Sequence, residues 1–219
     1  VTNAAGTLID GKYLPISNPA MLSFRPEGKP DFERALATLN KYINGTIKNS
    51  ALDGDFKGIE DEKEAEDFLK EVLYSEVDAV AVDTETTALY PRDGYVLGLS
   101  MSYKLNHGRY VNSDAINEKC LETIQQILNK CQVVFHNRKF DEKMLRYHFS
   151  LEFKPDCDDT MVEHYVLDEA EGTHGLKALA IKHTNYGDYD KKLEEFKKDY
   201  CKSHGILEES FTYDLIPFN

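Results

Sequence analysis

Asp83 and Glu85 are the residues of this 219-residue chain whose type and spacing most directly suggest chemistry. Two acids separated by one residue, at the end of an extended run, project from the same face of a strand. Both carboxylates can therefore grip one site. The run before them, Ala79-Val80-Ala81-Val82, reads as a buried strand that leaves both acids poorly solvated unless positive charge balances them. Hard divalent cations, which take oxygen ligands, are the natural balance. The plainer reading of Asp83-Thr84-Glu85-Thr86 is a polar strand end followed by a turn.

A further acid belongs with these two. Val133-Val134-Phe135 reads as another strand, and it runs through His136-Asn137-Arg138-Lys139-Phe140 into Asp141, in the first turn of the next helix. The helix dipole alone accounts for one acid there. It does not account for a strand, Asn-x-x-x-Asp and a helix coming after a strand that ends in Asp-x-Glu.

The elements that must position these residues are legible in the same way. Asp61 looks like the N-cap of a helix through Tyr74, with Glu64 completing a capping box and Phe68, Leu69, Val72 and Leu73 forming the apolar face. Asp78 to Asp83, Tyr95 to Tyr103 and Arg109 to Val111 read as strands, the last two joined by a turn at Asn106-His107-Gly108. Leu121, Ile124, Ile127 and Leu128 recur at helical spacing, and helices follow from Lys139 to Phe149, from Thr160 to His183 and around Leu193 to Tyr200. The pattern predicts an α/β fold with a mixed central sheet flanked by helices: the first three strands antiparallel, the fourth joining parallel. Residues 1–55 read as an N-terminal extension or linker with one helix from Asp31 to Ile43, and residues 56–219 as the main domain. Asn44-Gly45-Thr46 matches a glycosylation sequon, but a helix-ending turn is the favoured reading.

Composition narrows the function. With 41% hydrophobic residues the chain can bury a proper core. Its net charge of -13 argues against a generic nucleic-acid coat, although it is compatible with an enzyme that meets nucleic acid through bound cations. Cys120, Cys131, Cys157 and Cys201 are scattered without a C-x-x-C pair, which suits a reducing cytoplasm. No apolar run approaches the roughly 18–20 residues of a membrane helix, and Val1 to Ile9 lack the basic segment followed by an apolar one of a secretory signal, which reads as a soluble protein that is not secreted. A start at Val1 hints at a chain cut from something longer.

Taken together, the motifs resemble the DEDD exonuclease superfamily, specifically the 3′–5′ proofreading domain of family A DNA polymerases, over roughly Gly58 to Asn219. Asp83-Thr84-Glu85-Thr86 followed by Leu89 is similar to its first motif, and Asn137-Arg138-Lys139-Phe140-Asp141 to its second. Val96-Leu97-Gly98-Leu99-Ser100, Asp159-Thr160-Met161 and His174-Gly175-Leu176-Lys177-Ala178-Leu179 are supporting text, the last of a bacteriophage type. The resemblance implies a ribonuclease-H-like exonuclease fold and hydrolysis of the 3′-terminal phosphodiester of DNA with two divalent cations, Mg2+ or Mn2+, about 4 Å apart. It implies Asp83, Glu85 and Asp141 as catalytic metal ligands, with Asp83 bridging both ions and Asp141 acting through water. Thr84, Leu89, Asn137 and Phe140 would then bind substrate, Leu89 against the terminal base and Phe140 as a stacking wall or as plain core. The implied partners are a single-stranded DNA 3′ end and the polymerase domain of the parent chain. The implied location is the cytoplasm, that of the host cell for a phage protein.

One departure stands out. The superfamily carries a further Tyr-x-x-x-Asp on a late helix, and Tyr186-Gly187-Asp188-Tyr189-Asp190 has that spacing. Gly187 and the surrounding turn formers argue against the helix needed to place Tyr186 and Asp190 on one face. Phe211 to Asn219 instead resembles the stretch leading into that helix, so the exonuclease domain reads as C-terminally incomplete, with a complementing polypeptide as one source of the rest. His136 next to Asn137 reads as a hydrogen-bonded structural residue rather than a general base, and the lysine pairs 191–192 and 197–198 as a solvated helix face. Two other readings remain open: an RNA-trimming relative in the same superfamily, and a non-catalytic module that binds single strands or a partner.

Overall fold

The computed structural model describes residues 6, 13–44, 54–169, 172–184, 186 and 190–216. They fall into two compact units, residues 1–53 with 177–189, and residues 54–176 with 190–219.

In the first unit, 3-10 turns at Pro19–Ser23 and Pro26–Gly28 lead into helix α1, Lys29–Ile43. Asn18 caps the first turn, its side chain accepting the Ala20 N–H. At the other end Asn44 is the C-cap of α1, its N–H returned to the Asn40 carbonyl, as the turn reading of this site expects. The rest of the sequon, residues 45–46, lies outside the described residues.

The second unit is built on strands β1 (Asp55–Ile59), β2 (Ala79–Thr86), β3 (Val96–Ser102), β4 (His107–Asn112), β5 (Gln132–Phe135) and β6 (Asp158–Asp159). Between them run helices α2 (Glu62–Tyr74) and α3 (Glu118–Lys130); α4 (Arg138–Phe149) follows β5 and α5 (Thr160–Leu167) follows β6. The remaining helices are α6 (Leu176–His183), which belongs from residue 177 with the first unit, and α7 (Lys191–His204). The strand order is β1-β4-β3-β2-β5-β6. As expected, β2, β3 and β4 pair antiparallel and β5 joins β2 in parallel.

Three expectations need correction. Edge strands β1 and β6, parallel to β4 and β5, were not anticipated. β4 starts at His107 rather than Arg109, because the turn closes at Leu105-Asn106, where Asn106 takes a left-handed φ of 56°. Asp61 does cap α2, accepting the Glu64 N–H at 2.9 Å, but the carboxylate of Glu64 pairs with Lys57 on β1 instead of returning to the cap.

The core lies on one face of the sheet. Phe68, Leu69 and Val72 of α2 and Ile124, Ile127 and Leu128 of α3 pack there against Val80, Val82, Leu99, Met101, Val133 and Phe135. The alternation is strict along β2, where Val80, Val82 and Thr84 are buried and Ala79, Ala81 and Asp83 are exposed. Asp83 and Glu85 therefore stand on the opposite face. Among the described residues no helix is long and apolar enough to cross a membrane.

Candidate active site

β2 delivers its two acids by register. Asp83 lies opposite Ser100 and Glu85 opposite Gly98 on β3, while Ser100 in turn lies opposite Tyr110 on β4. Residues directly opposite one another project to the same side, so Asp83, Glu85 and Tyr110 share the open face. Gly98 is required by this arrangement: a Cβ there would stand 2.3 Å from the Tyr110 ring and 2.5 Å from its hydroxyl oxygen. The β2–β3 register shifts between Glu85 and Thr86, directly after the second acid, and the chain leaves the sheet toward Leu89.

Asp141 arrives from the other side. β5 stops pairing with β2 at Ala81–Val134, so the buried N–H of Thr84 has no strand partner there. α4 returns from β5 and supplies one: Asp141 Oδ1 accepts the Thr84 N–H at 3.0 Å and its hydroxyl at 2.7 Å. Asp141 is only 2% exposed, so those two bonds hold a carboxylate with almost no access to water. Both Thr84 donors are thereby engaged by Asp141.

All three acids have raised proton affinity, chiefly through desolvation. Glu85 is pushed up to about 7, by desolvation first and then by the charges of Asp83 and Asp141. Asp141 is pushed up to about 6, by desolvation and by Asp83, against the lowering effect of the Thr84 bonds. Asp83 is open to solvent at its tip, yet enough protein surrounds its carboxyl that desolvation raises it too, with the Thr84 backbone opposing. Among the described residues no group of three or more acids, histidines or cysteines is placed so that it could hold a metal ion. The chemistry of the set, all carboxylate oxygen and electrostatically under-compensated, nevertheless fits hard divalent cations.

Thr84→Val tests the clamp. The variant loses the hydroxyl that faces the carboxylate and is expected to cost about 1–2 kcal/mol in urea unfolding. It should also move the Asp141 titration, followed by NMR, further upward; an unmoved titration would mean that the hydroxyl does not hold Asp141.

Three residues expected near substrate, Leu89, Asn137 and Phe140, border one hollow of about 150 Å³ with Tyr90, Pro91, Lys139 and Lys143. Phe140 is half-buried at its wall rather than part of the core. A larger hollow of about 610 Å³ lies against α4, but none of the three acids lines it. His136 behaves as a structural residue: Thr160 donates its hydroxyl proton to the Phe135 carbonyl, so His136 Nδ1, 2.9 Å from Thr160 Oγ1, acts as donor to that oxygen. Tyr186 follows α6 in the first unit and Asp190 caps α7 in the second, with residues 187–189 outside the described residues. Lys197 lies with its ammonium 5.8 Å from the Phe211 ring.

Sequence reasoning named Asp159 only as supporting text and missed its role as a cap. Its Oδ1 accepts the N–H of Asn137 and of Met161, and its Oδ2 that of Arg138, so one carboxylate caps both α4 and α5. The cap also holds Asn137 in its left-handed conformation, φ 67°, at the turn that aims α4. An Asp directly ahead of the Thr160 helix was the available signal. Tyr213 was also missed. It sits in the 3-10 turn Tyr213–Leu215, its hydroxyl pushed up by desolvation and by Glu85, Glu194, Asp190 and Asp83, so this turn comes near the acids.

Comparison with known proteins gives the family and the fold. A family model described as 3′–5′ exonuclease, of the DNA polymerase A type, matches residues 56–213. The DNA polymerase of Escherichia phage T5 is 47% identical over 209 residues, a stretch covering 92% of this chain and 24% of that polymerase. The chain thus spans about a quarter of the length of the curated relative it matches. Among solved structures, the catalytic core of RRP6 from Trypanosoma brucei superposes with a TM-score of 0.50 at 17% identity, over 60% of this chain and 35% of that one, which bears on the fold alone. The fold is the ribonuclease-H-like exonuclease fold expected from the sequence.

Proposed function

The chain belongs to the 3′–5′ exonuclease family of A-type DNA polymerases, and from that premise we propose that it removes the 3′-terminal nucleotide from a single DNA strand in the proofreading of DNA replication. The observation that supports the reading is the electrostatic coupling of three acids: Glu85 responds to the charges of Asp83 and Asp141, and Asp141 responds to that of Asp83.

Two divalent cations, Mg2+ or Mn2+, would supply activation of the attacking water and neutralisation of charge on the phosphate. Asp83 would hold both ions, Glu85 the one on the nucleophile side and Asp141 the other. Thr84 keeps Asp141 oriented by occupying one of its oxygens. Leu89 and Phe140 would take the terminal base between them, and the Asn137 side chain would position the sugar-phosphate beside it. The parent chain's polymerase domain would deliver the frayed end, in the cytoplasm of the host cell.

The test is digestion of a 5′-labelled single DNA strand, both by this chain and by a full-length polymerase of the T5 type that carries it. Shortening from the 3′ end in Mg2+ or Mn2+, and none in EDTA, is expected of the polymerase. Faster trimming of a matched RNA strand would favour an RNA-processing enzyme. Tight 3′-end binding without cleavage in either form would favour a non-catalytic module.

A further inference from the structure

The cations of α4 divide into two sets. Arg138 donates to Glu142 and to the carbonyls of Lys154, Pro155 and Cys157, and Arg146 pairs with Glu142 and Glu152. The arginines thus serve to fasten the loop after α4. Lys139 and Lys143, by contrast, are exposed and form no ion pair with any described residue. They stand at i and i+4, one above the other on the helix surface and about 6 Å apart along its axis. In a chain of net charge -13, two adjacent cations without an ion pair among the described residues, on the helix that carries Asp141, need a reason.

Both lysines line the hollow that Leu89, Tyr90 and Phe140 border. Leu89 is 77% exposed and Tyr90 67%, so the opposite wall offers apolar and aromatic surface to solvent. At about 150 Å³ the hollow is smaller than the roughly 300–1,000 Å³ of a small-molecule pocket, and it reads as a stretch of surface track. Its inner end, Phe140, adjoins Asp141. Lys139 and Lys143 also line the larger hollow on α4, with Arg138 and Arg146, but there Glu142, Asp158, Asp159 and Glu163 offset their charge, whereas no acid lines the smaller one. Ammonium groups facing an exposed aromatic wall are what a single nucleic-acid strand requires: phosphates on one side, base faces on the other.

We propose that Lys139 and Lys143 hold two successive phosphates of a single DNA strand upstream of its 3′-terminal nucleotide, with Tyr90 stacking on a base between them. The subsite rests on the exonuclease reading for its direction, and it sets how far along the strand the protein reads. It places a fixed anion track outside the metal site, so strand retention does not depend on the cations.

The experiment measures binding of the 219-residue chain to a 5′-fluorescein-labelled oligothymidylate of about ten nucleotides by anisotropy, in EDTA and across a salt series. Because nothing is cleaved, the result is independent of whether the hydrolytic assignment survives. Each phosphate contact on a single strand contributes about 0.7 to the slope of log K against log salt, so Lys139→Gln with Lys143→Gln should lower the slope by about 1.4. Lys139→Arg with Lys143→Arg should retain the parent slope. Lys63→Gln with Lys119→Gln removes the same charge from α2 and α3 and should leave the slope unchanged. An unchanged slope in the first pair, or an equal fall in the α2 and α3 pair, overturns the subsite. A fall seen only with oligouridylate overturns its assignment to DNA.

Discussion

Asp83→Ala is expected to abolish 3′-end hydrolysis while leaving the fold intact. The structural half of this expectation comes from β2. Asp83 follows Ala79 and Ala81 on the open face, so alanine at 83 continues a row the sheet already tolerates. The Asp83 carboxyl is raised by desolvation, which means its charge works against the folded state and its removal costs little. The chemical half comes from its influence on Glu85 and Asp141, both of which respond to its charge. Losing the ligand shared by both cations should lower kcat/KM on a labelled single strand by about a thousandfold or more, equivalent to about 4 kcal/mol of transition-state stabilisation. The comparison is made within the full-length polymerase, with circular dichroism and urea unfolding alongside. Cleavage within tenfold of the parent, on a folded variant, would remove the two-metal assignment.

The parts of the site legible in the sequence are those fixed by local periodicity. The period of two along Val80, Val82 and Thr84 dictates that Asp83 and Glu85 share a face, and no tertiary contact is needed to deduce it. Asp141 in the first turn of α4 follows from the strand-to-helix switch at Asn137. What was not legible depends on partners distant in the chain. β1 is five residues long, carries Gly58, and is held by β4: the Asp55 N–H reaches the Asn106 carbonyl and Arg109 returns to Asp55. Missing β1 also explains the half-formed capping box, because Lys57, the residue that draws Glu64 away, lies on that strand.

The same limit applied at the site itself. The local pattern places Asp141 at the start of α4 but not the bonds that one of its oxygens accepts from Thr84, which depend on where β5 stops pairing. Gly98 within a strand pattern announces a close approach, but the approaching residue, Tyr110, is known only from the β3–β4 register. Asp159 spans two helices whose start points are independent in sequence. Local pattern identified the reacting groups, and long-range pairing determined what orients them.

Glu85→Gln should reverse the order of stability between metal-free and metal-loaded protein. Glu85 rises from an ordinary value of 4.5 to about 7 in the folded chain. Below about pH 4.5 it is protonated in both folded and unfolded states and contributes no difference. As the pH rises toward about 7 the unfolded chain releases the proton and the folded chain retains it, so stability falls across this window. Above about pH 7 the folded chain carries the full penalty of a desolvated carboxylate beside Asp83 and Asp141. Glutamine keeps the shape and lacks the charge. In EDTA at pH 8 the variant should therefore be more stable than the parent by about 1–2 kcal/mol after allowance for solvent screening, roughly 3–6 °C in Tm. At pH 4 the two should melt together. Added Mn2+ stabilises whichever protein binds it, by RT ln(1 + [L]/Kd), and the parent has the carboxylate that the variant lacks. The parent should then gain several degrees at pH 8 and the variant much less, erasing or inverting the EDTA difference. A variant that melts below the parent in EDTA at pH 8 would show that Glu85 is compensated by something other than a cation.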